Sequence, residues 1–279
     1  MKNVPETSNT GANFVIKSYN TFMQVHIKNK EEIEIMKEGG KILTEIMEFL
    51  WQMAVPGITT WKMNEKTEEI MKKYGAEASF KTVNHYRYAI CACPDEVVVH
   101  GLPNKAPLKE GQLLGIDCGV LYKGLHTDAS WTKKIQNSKL KIQNDKFLEV
   151  GKKALQKAIE VSIAGNRVWD IAYVIQQTIE GAGYNVVPEL TGHAIGRKLH
   201  EKPDVPGIIA KPRERTEELL TGMALAIEVI YTKGDNKIVY KNNDGWTIAT
   251  RDKSLAGLFE ETIIVTENKP IRITPIVLQ

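Results

Sequence analysis

The chain runs from helical to extended texture and then repeats the same order, which sharply limits the folds open to it. Helical spacing begins near Asn29, a good N-cap, with Glu31, Glu32 and Glu34 placed for the positive end of a helix dipole. Ile33, Met36, Ile42, Leu43, Ile46 and Leu50 then recur at near-helical spacing. Gly39-Gly40 interrupts that stretch, which suggests close packing or a kink, and Val55-Pro56-Gly57 ends it. A second helix is expected from the Thr59-Thr60 cap to Tyr74-Gly75. Within residues 81–135, short apolar stretches at 88–91, 97–99 and 113–118 are separated by Pro and Gly, as strands are. Helical periodicity returns at 145–164 and 168–179, closed by Gly181 and Gly183. After Tyr184 the chain again reads as strands and loops, ending in 262–266 and 271–276. Two helices and then strands, twice over, predict an α+β fold with helices outside a mostly antiparallel sheet. No linker separates the halves, so one domain is expected over 27–279, after a polar leader at 1–26.

Composition narrows the function classes. The 279 residues include 37 Lys and Arg against 34 Asp and Glu, a net charge of +3, too small to argue for a dedicated nucleic-acid surface. No apolar stretch is long enough to span a bilayer, and residues 1–26 lack a signal-peptide core. Three cysteines, Cys91, Cys93 and Cys118, are too few and too close for a disulfide framework or a structural zinc site. They fit a reducing compartment, and a cytoplasmic protein is expected.

Four acids stand where acids are costly. Asp117 lies within the apolar run 113–120, and Asp128 follows eleven residues later across a plausible Tyr122-Lys123-Gly124 turn. A hairpin centred near 122–123 would set the two roughly opposite, with Cβ atoms ~5 Å apart. Carboxylates that close repel, and one is forced to take a proton unless a cation lies between them. A pair of acidic hairpin caps is the plainer alternative. Glu228 sits in the apolar run 224–230 and Glu260 in 258–265; either is out of place in a buried strand without a partner. Exposed strand edges would be the plain reading, and Glu261 fits that kind of solvated position.

His193 lies in a glycine-flanked segment, Thr191-Gly192-His193-Ala194-Ile195-Gly196, read as a turn, with His200 seven residues on. A lone histidine is more often an ordinary polar residue. Together, four carboxylates and one imidazole could neutralise two divalent cations, and such oxygen-rich ligation favours Mn, Fe, Co or catalytic Zn. Two metals ~3.5–4 Å apart that activate a water and polarise a carbonyl are hydrolytic machinery.

Several stretches then resemble one family. They are Asp95 to Pro103, Ile116-Asp117 with Asp128, Gly192 to Gly196, His200-Glu201-Lys202-Pro203, Ile227-Glu228, Asp244-Gly245-Trp246-Thr247, and Phe259-Glu260 with Thr262. Over residues 27–274 the chain resembles the type I methionine aminopeptidases. The resemblance implies the pita-bread fold, a pseudo-twofold curved antiparallel sheet with helices on its outer side. It implies two divalent metals, with Asp117 on one, His193 and Glu228 on the other, and Asp128 and Glu260 bridging. Glu228 would also move a proton, His200 would contact the substrate carbonyl oxygen, and His100 would stand near the scissile amide nitrogen. Tyr86, Cys91 and Trp246 match positions of the methionine pocket, and Leu199 stands where Phe is usual. The implied activity removes N-terminal methionine from nascent chains with a small second residue, in a monomer that meets the ribosome transiently.

The sequence departs from that family at Ala194 and His85, where Gly is usual, at Val229 and Arg87, where Pro is usual, and at Glu261, where His is usual. An inward-pointing Glu261 would alter the charge around the metals. Two alternatives are an Xaa-Pro aminopeptidase or dipeptidase of the same fold, and a non-catalytic relative that binds RNA or protein. The first usually carries a sizeable N-terminal domain; the second is expected to lose metal ligands, and all five are present here.

Overall fold

A computed structural model describes residues 25–136 and 145–275. The leader expected at 1–26 lies outside the described residues except for Val25 and His26. Helix α1 (Lys30–Met53) starts at Asn29 with a capping box: Glu32 N–H donates to Asn29 Oδ1, and Asn29 N–H to Glu32 Oε2, both at 3.0 Å. Gly39 and Gly40 do not break it. They let α1 lie against the sheet: a Cβ at Gly40 would strike the Ile273 carbonyl, and one at Gly39 would lie 3.3 Å from Tyr122 Cβ. Helix α2 (Thr60–Lys73) is capped by Thr59. Helix α3 (Lys146–Glu160), capped by Asp145, ends four residues before the periodicity does, at the C-cap Val161. Helix α4 (Val168–Glu180) follows.

The strands are β1 (Glu77–Ala78), β2 (Ile90–Pro94), β3 (Val97–Val99), β4 (Leu113–Tyr122), β5 (Leu125–Lys134), β6 (Asn185–Val186), β7 (Thr191–Ala194), β8 (Glu201–Pro206), β9 (Ala224–Thr232), β10 (Ile238–Tyr240), β11 (Ile248–Thr250), β12 (Ala256–Ile264) and β13 (Ile271–Arg272). The main sheet runs β1-β4-β5-β12-β9-β7-β8, with β2 also on β4, β6 on β9 and β13 on β12, every pair antiparallel. A small sheet, β10-β11-β3, stands apart.

The repeat read from the sequence is structural. After each helix pair, a two-residue strand joins the C-terminal end of a long one: Glu77 opposite Leu121, and Asn185 opposite Thr232. Helix α1 packs on β4 and β5, and α3 on β9 and β12. The halves meet where β5 pairs with β12. One face of the sheet is the apolar core beneath the helices, built from Leu43, Ile46, Ile116, Cys118, Ala129, Ile227, Val229 and Phe259. Each of the larger side chains there contributes roughly 1.5–3 kcal/mol by leaving water. Because successive strand residues point to opposite faces, Asp117, Asp128, Glu228 and Glu260 all fall on the other face.

Candidate metal centre and adjoining apolar cavity

Register lines the acids up. Glu228 on β9 stands opposite Glu260 on β12, Glu260 opposite Ser130 on β5, Ser130 opposite Asp117 on β4, and Asp117 opposite Cys91 on β2. Asp128 lies two residues from Ser130, on the same face. It pairs with Gly119, so Asp117 and Asp128 are diagonal neighbours rather than the opposed pair expected from the sequence. The hairpin turns at Lys123-Gly124, with Tyr122 opposite Leu125, one residue later than the centre read from the sequence. Moving the centre by one shifts the pairing by two, which keeps both aspartates on one face.

His193 is in strand β7, not in a turn. It pairs with Ala226, two residues from Glu228, and a register irregularity follows it at Ala194. Its glycine neighbour serves close strand approach: a Cβ on Gly192 would lie 2.5 Å from the Ala226 carbonyl oxygen. His193 Nδ1 meets the Ala194 carbonyl at 3.0 Å, so that nitrogen carries the proton and Nε2 offers a lone pair. Nε2 lies 3.6 Å from Glu228 Oε1.

Donor atoms of Asp128, His193 and Glu260 lie within 4.8 Å of one another, and all three residues are buried. Asp117 Oδ1 and Glu260 Oε1 are buried without a hydrogen-bond partner among the described residues. Burial raises the Asp117 carboxyl to about 7. Burial, and then the charges of Asp117 and Glu228, push Asp128 well up. Glu228 rises through burial and then the charge of Asp117; Glu260 through burial and then Asp128, Glu228 and Asp117. Burial, reinforced by His200, lowers His193 to about 4. A neutral imidazole among crowded carboxylates with orphaned oxygens is a donor set suited to divalent cations.

The backbone beneath these acids is fixed by hydroxyls. Thr262 Oγ1 accepts from Asp128 N–H at 2.9 Å and donates to the Asp128 carbonyl at 2.8 Å, while Thr274 Oγ1 accepts from Thr262 N–H at 2.8 Å. Alternation could have found part of this, since Ser130 and Thr262 lie two residues beyond Asp128 and Glu260.

All eleven side chains singled out from the sequence line one cavity of about 170 Å³, together with Phe80, Val83 and Val99, which sequence reasoning missed. The small sheet supplies two of them, because β3 leads into His100 and β11 follows Trp246, with Val99 opposite Ile248. Asp244 Oδ1 accepts from the Trp246 and Thr247 N–H groups at 2.8 Å and holds that turn. Tyr86 donates its hydroxyl to the Ile90 carbonyl at 2.9 Å, lies 3.1 Å from Cys91 Sγ, and meets Trp246 edge-on at 5.0 Å. The three cysteines are free and buried. His100 and His200 are exposed, and the His200 ring stands 4.5 Å from that of His193. Burial of part of each ring lowers both pKa values, that of His100 further through His200.

Most of the residues that depart from the sequence pattern lie off this cavity. Glu261 is 1% exposed rather than solvated, and it faces the helix side, where Arg272 Nε donates to Oε2 at 2.6 Å and a second guanidinium nitrogen to Oε1. Val229 is buried in the helix-side core. His85 and Arg87 are exposed on either side of buried Tyr86, and His85 takes φ +68°, a conformation that glycine adopts without strain.

Sequence comparison matches residues 34–267 to metallopeptidase family M24. A methionine aminopeptidase of Clostridium perfringens is 37% identical over 244 residues, 88% of this chain and 96% of that protein. One of Escherichia coli is 32% identical over 248 residues, 88% of this chain and 92% of that protein. Among solved structures, a methionine aminopeptidase from Thermotoga maritima matches with a TM-score of 0.84 at 37% identity, covering 90% of this chain and 99% of that one. A prolidase from Pyrococcus furiosus matches with a TM-score of 0.70 at 22% identity over 90% of this chain and 66% of its own, which shows the shared pita-bread fold alone. The family match runs from within α1 through β12 and so takes in both halves of the sheet and all five metal-suited side chains; the chain belongs to metallopeptidase family M24.

Proposed function

We propose that this protein is a hydrolase that removes the N-terminal methionine from newly made proteins and peptides, favouring a small second residue. The observation that carries the reading is the arrangement of four carboxylates and one neutral imidazole on one sheet face, lining a cavity of about 170 Å³ together with apolar and aromatic side chains. A cavity of that size holds a group comparable to one methionine side chain. Tyr86, Cys91, Trp246 and Leu199 give it the aromatic and sulfur surroundings a thioether favours.

Asp117, Asp128, His193, Glu228 and Glu260 would hold two divalent ions; Co, Mn, Fe and Zn all suit these donors. When bound, the ions supply Lewis-acid polarisation of the scissile carbonyl and a water acidic enough to attack at neutral pH. The protein does the remainder. Glu228, its carboxyl raised by burial, takes and returns a proton at its carboxylate oxygens. His200, neutral at pH 7, donates a hydrogen bond to the carbonyl oxygen, where charge develops in the transition state. His100 meets the scissile amide nitrogen. The apolar wall of Phe80, Val83 and Tyr86 excludes water from the methionine side chain.

The catalytic domain is assigned to residues 27–279. No described helix is long and apolar enough to cross a membrane. The free thiols suit a reducing compartment such as the cytoplasm, and a monomer that meets nascent chains transiently at the ribosome follows from the resemblance to the type I methionine aminopeptidases. Methionine release from Met-Ala-Ser and Met-Pro peptides, with and without Mn, Co or Fe, tests the assignment. Failure to release methionine with any of these metals would sink it.

A further inference from the structure

A larger cavity, of about 810 Å³, opens beside the metal centre. One wall is residues 25–27, the segment before α1, and the other is formed by Arg197, Lys198 and the start of β8 as far as Asp204. The two cavities share one residue, His200. Two other cavities, of about 400 and 420 Å³, share none with the metal centre. The inner cavity has room for little more than one side chain, so a longer substrate must pass His200 and continue outside.

The charges of the outer cavity do not cancel. Lys28, buried beneath it, is held by Glu201 at 2.8 Å. Arg197 donates to Glu32 at 2.9 Å, and Lys202 pairs with Asp204. Lys198 is exposed on the rim and has no ion-pair partner among the described residues. One cation is thus left over on a wall that a peptide would follow.

We propose that this cavity receives the part of the substrate beyond its second residue, and that Lys198 makes it favour chains with acidic side chains at the third to fifth positions. This rests on the aminopeptidase reading. A residue of extended chain spans ~3.3–3.6 Å, so three residues past the second reach about 10 Å along the wall. An exposed cation acts on a mobile carboxylate weakly, by a few-fold in affinity, and salt screens it.

The test uses the full-length, metal-loaded enzyme and three peptides, Met-Ala-Asp-Asp-Asp, Met-Ala-Ser-Ser-Ser and Met-Ala-Lys-Lys-Lys, each amidated at its C-terminus. Methionine release gives kcat/KM for each. The acidic peptide should exceed the basic one by about 3–10-fold at low salt, and the ratio should approach one as salt rises toward ~0.5 M. In Lys198→Glu the ratio should invert. A ratio within one enzyme does not depend on how much of that variant is folded. Equal rates for the three peptides, or a preference that survives Lys198→Glu, would overturn the proposal. Failure to release methionine even from the serine peptide would instead overturn the aminopeptidase reading on which it rests.

Discussion

Glu228 and Glu260 stand directly opposite each other on neighbouring antiparallel strands, both turned away from the helices. Two carboxylates in that relation, with Asp117 and Asp128 on the next strands, are an arrangement that costs folding energy at neutral pH unless cations neutralise it.

That cost sets a pH dependence. The four carboxyls titrate higher folded than unfolded, Asp117 at about 7. Groups with raised values contribute stability below their unfolded values, near 4, and lose it as pH rises through the folded ones. His193 and His126, lowered to about 4, act in the opposite sense: they cost stability as pH falls below about 6.5. Above 6.5 the carboxyls dominate; the buried cysteines, raised by burial, act in the same sense as pH approaches 9, and Lys133, lowered to about 8 by burial, acts in the opposite sense. The chelated protein should therefore lose melting temperature between pH 6.5 and 8.5, and added Mn should flatten that slope. Calorimetry with and without chelator reads both.

Replacing one member should move stability and activity in opposite directions. Glu260→Gln removes a buried charge from the cluster. At pH 8 the chelated variant is expected to be more stable than the chelated parent by about 1–3 kcal/mol. The same change should lower metal affinity and turnover by about 100-fold. Chemical denaturation, metal titration and methionine release measure the three effects separately.

Glu261 provides the contrast on the reverse face. Glu261→Gln leaves Arg272 without its carboxylate and should cost about 2 kcal/mol, while metal affinity stays within about twofold. A large fall in affinity would place Glu261 in the metal centre after all.

The loop that carries His200 is held from outside the cavity. Glu201 accepts from Lys28 Nζ at 2.8 Å and from Lys198 N–H at 3.1 Å, and Lys28 Nζ also reaches the His26 carbonyl at 3.1 Å. A Cβ on Gly196 would lie 2.6 Å from that Nζ. Lys28→Met should cost about 3 kcal/mol of stability, as the loss of one partner of a buried pair does. It should lower kcat about tenfold, but have little further effect in a His200→Ala background, because the two residues act as one unit. Additive effects in the double variant would show that Lys28 supports the fold without positioning His200.

Much of this was legible in the chain. Asn29 and Thr59 announced helix starts because capping is local chemistry, fixed within three residues. Asp117, Glu228 and Glu260 stood out because alternation put an acid among apolar neighbours. Less local facts were hidden. The pairing of Asp128 with Gly119 depends on which two residues of the Tyr122-Lys123-Gly124 turn form its tip, and the positive φ values of Lys123 and Gly124 that put the tip there were not readable from the sequence. The glycine beside His193 suggested a turn, whereas strand crowding requires it. Glu261 looked like a surface residue because its partner, Arg272, comes eleven residues later, on β13. His100 and Trp246 meet the cavity through β3 and β11, whose pairing spans about half the chain and leaves no periodic trace.

The most direct measurement is a competition in one vessel between Met-Ala-Ser and an Xaa-Pro peptide lacking methionine, followed by mass spectrometry before and after metal is added to chelated enzyme. The expected result is release of methionine only after metal is added, with the Xaa-Pro peptide intact and with Asp117→Asn inactive under the same conditions. Cleavage of the Xaa-Pro bond alone, methionine release that survives chelation, or full activity in Asp117→Asn would contradict it.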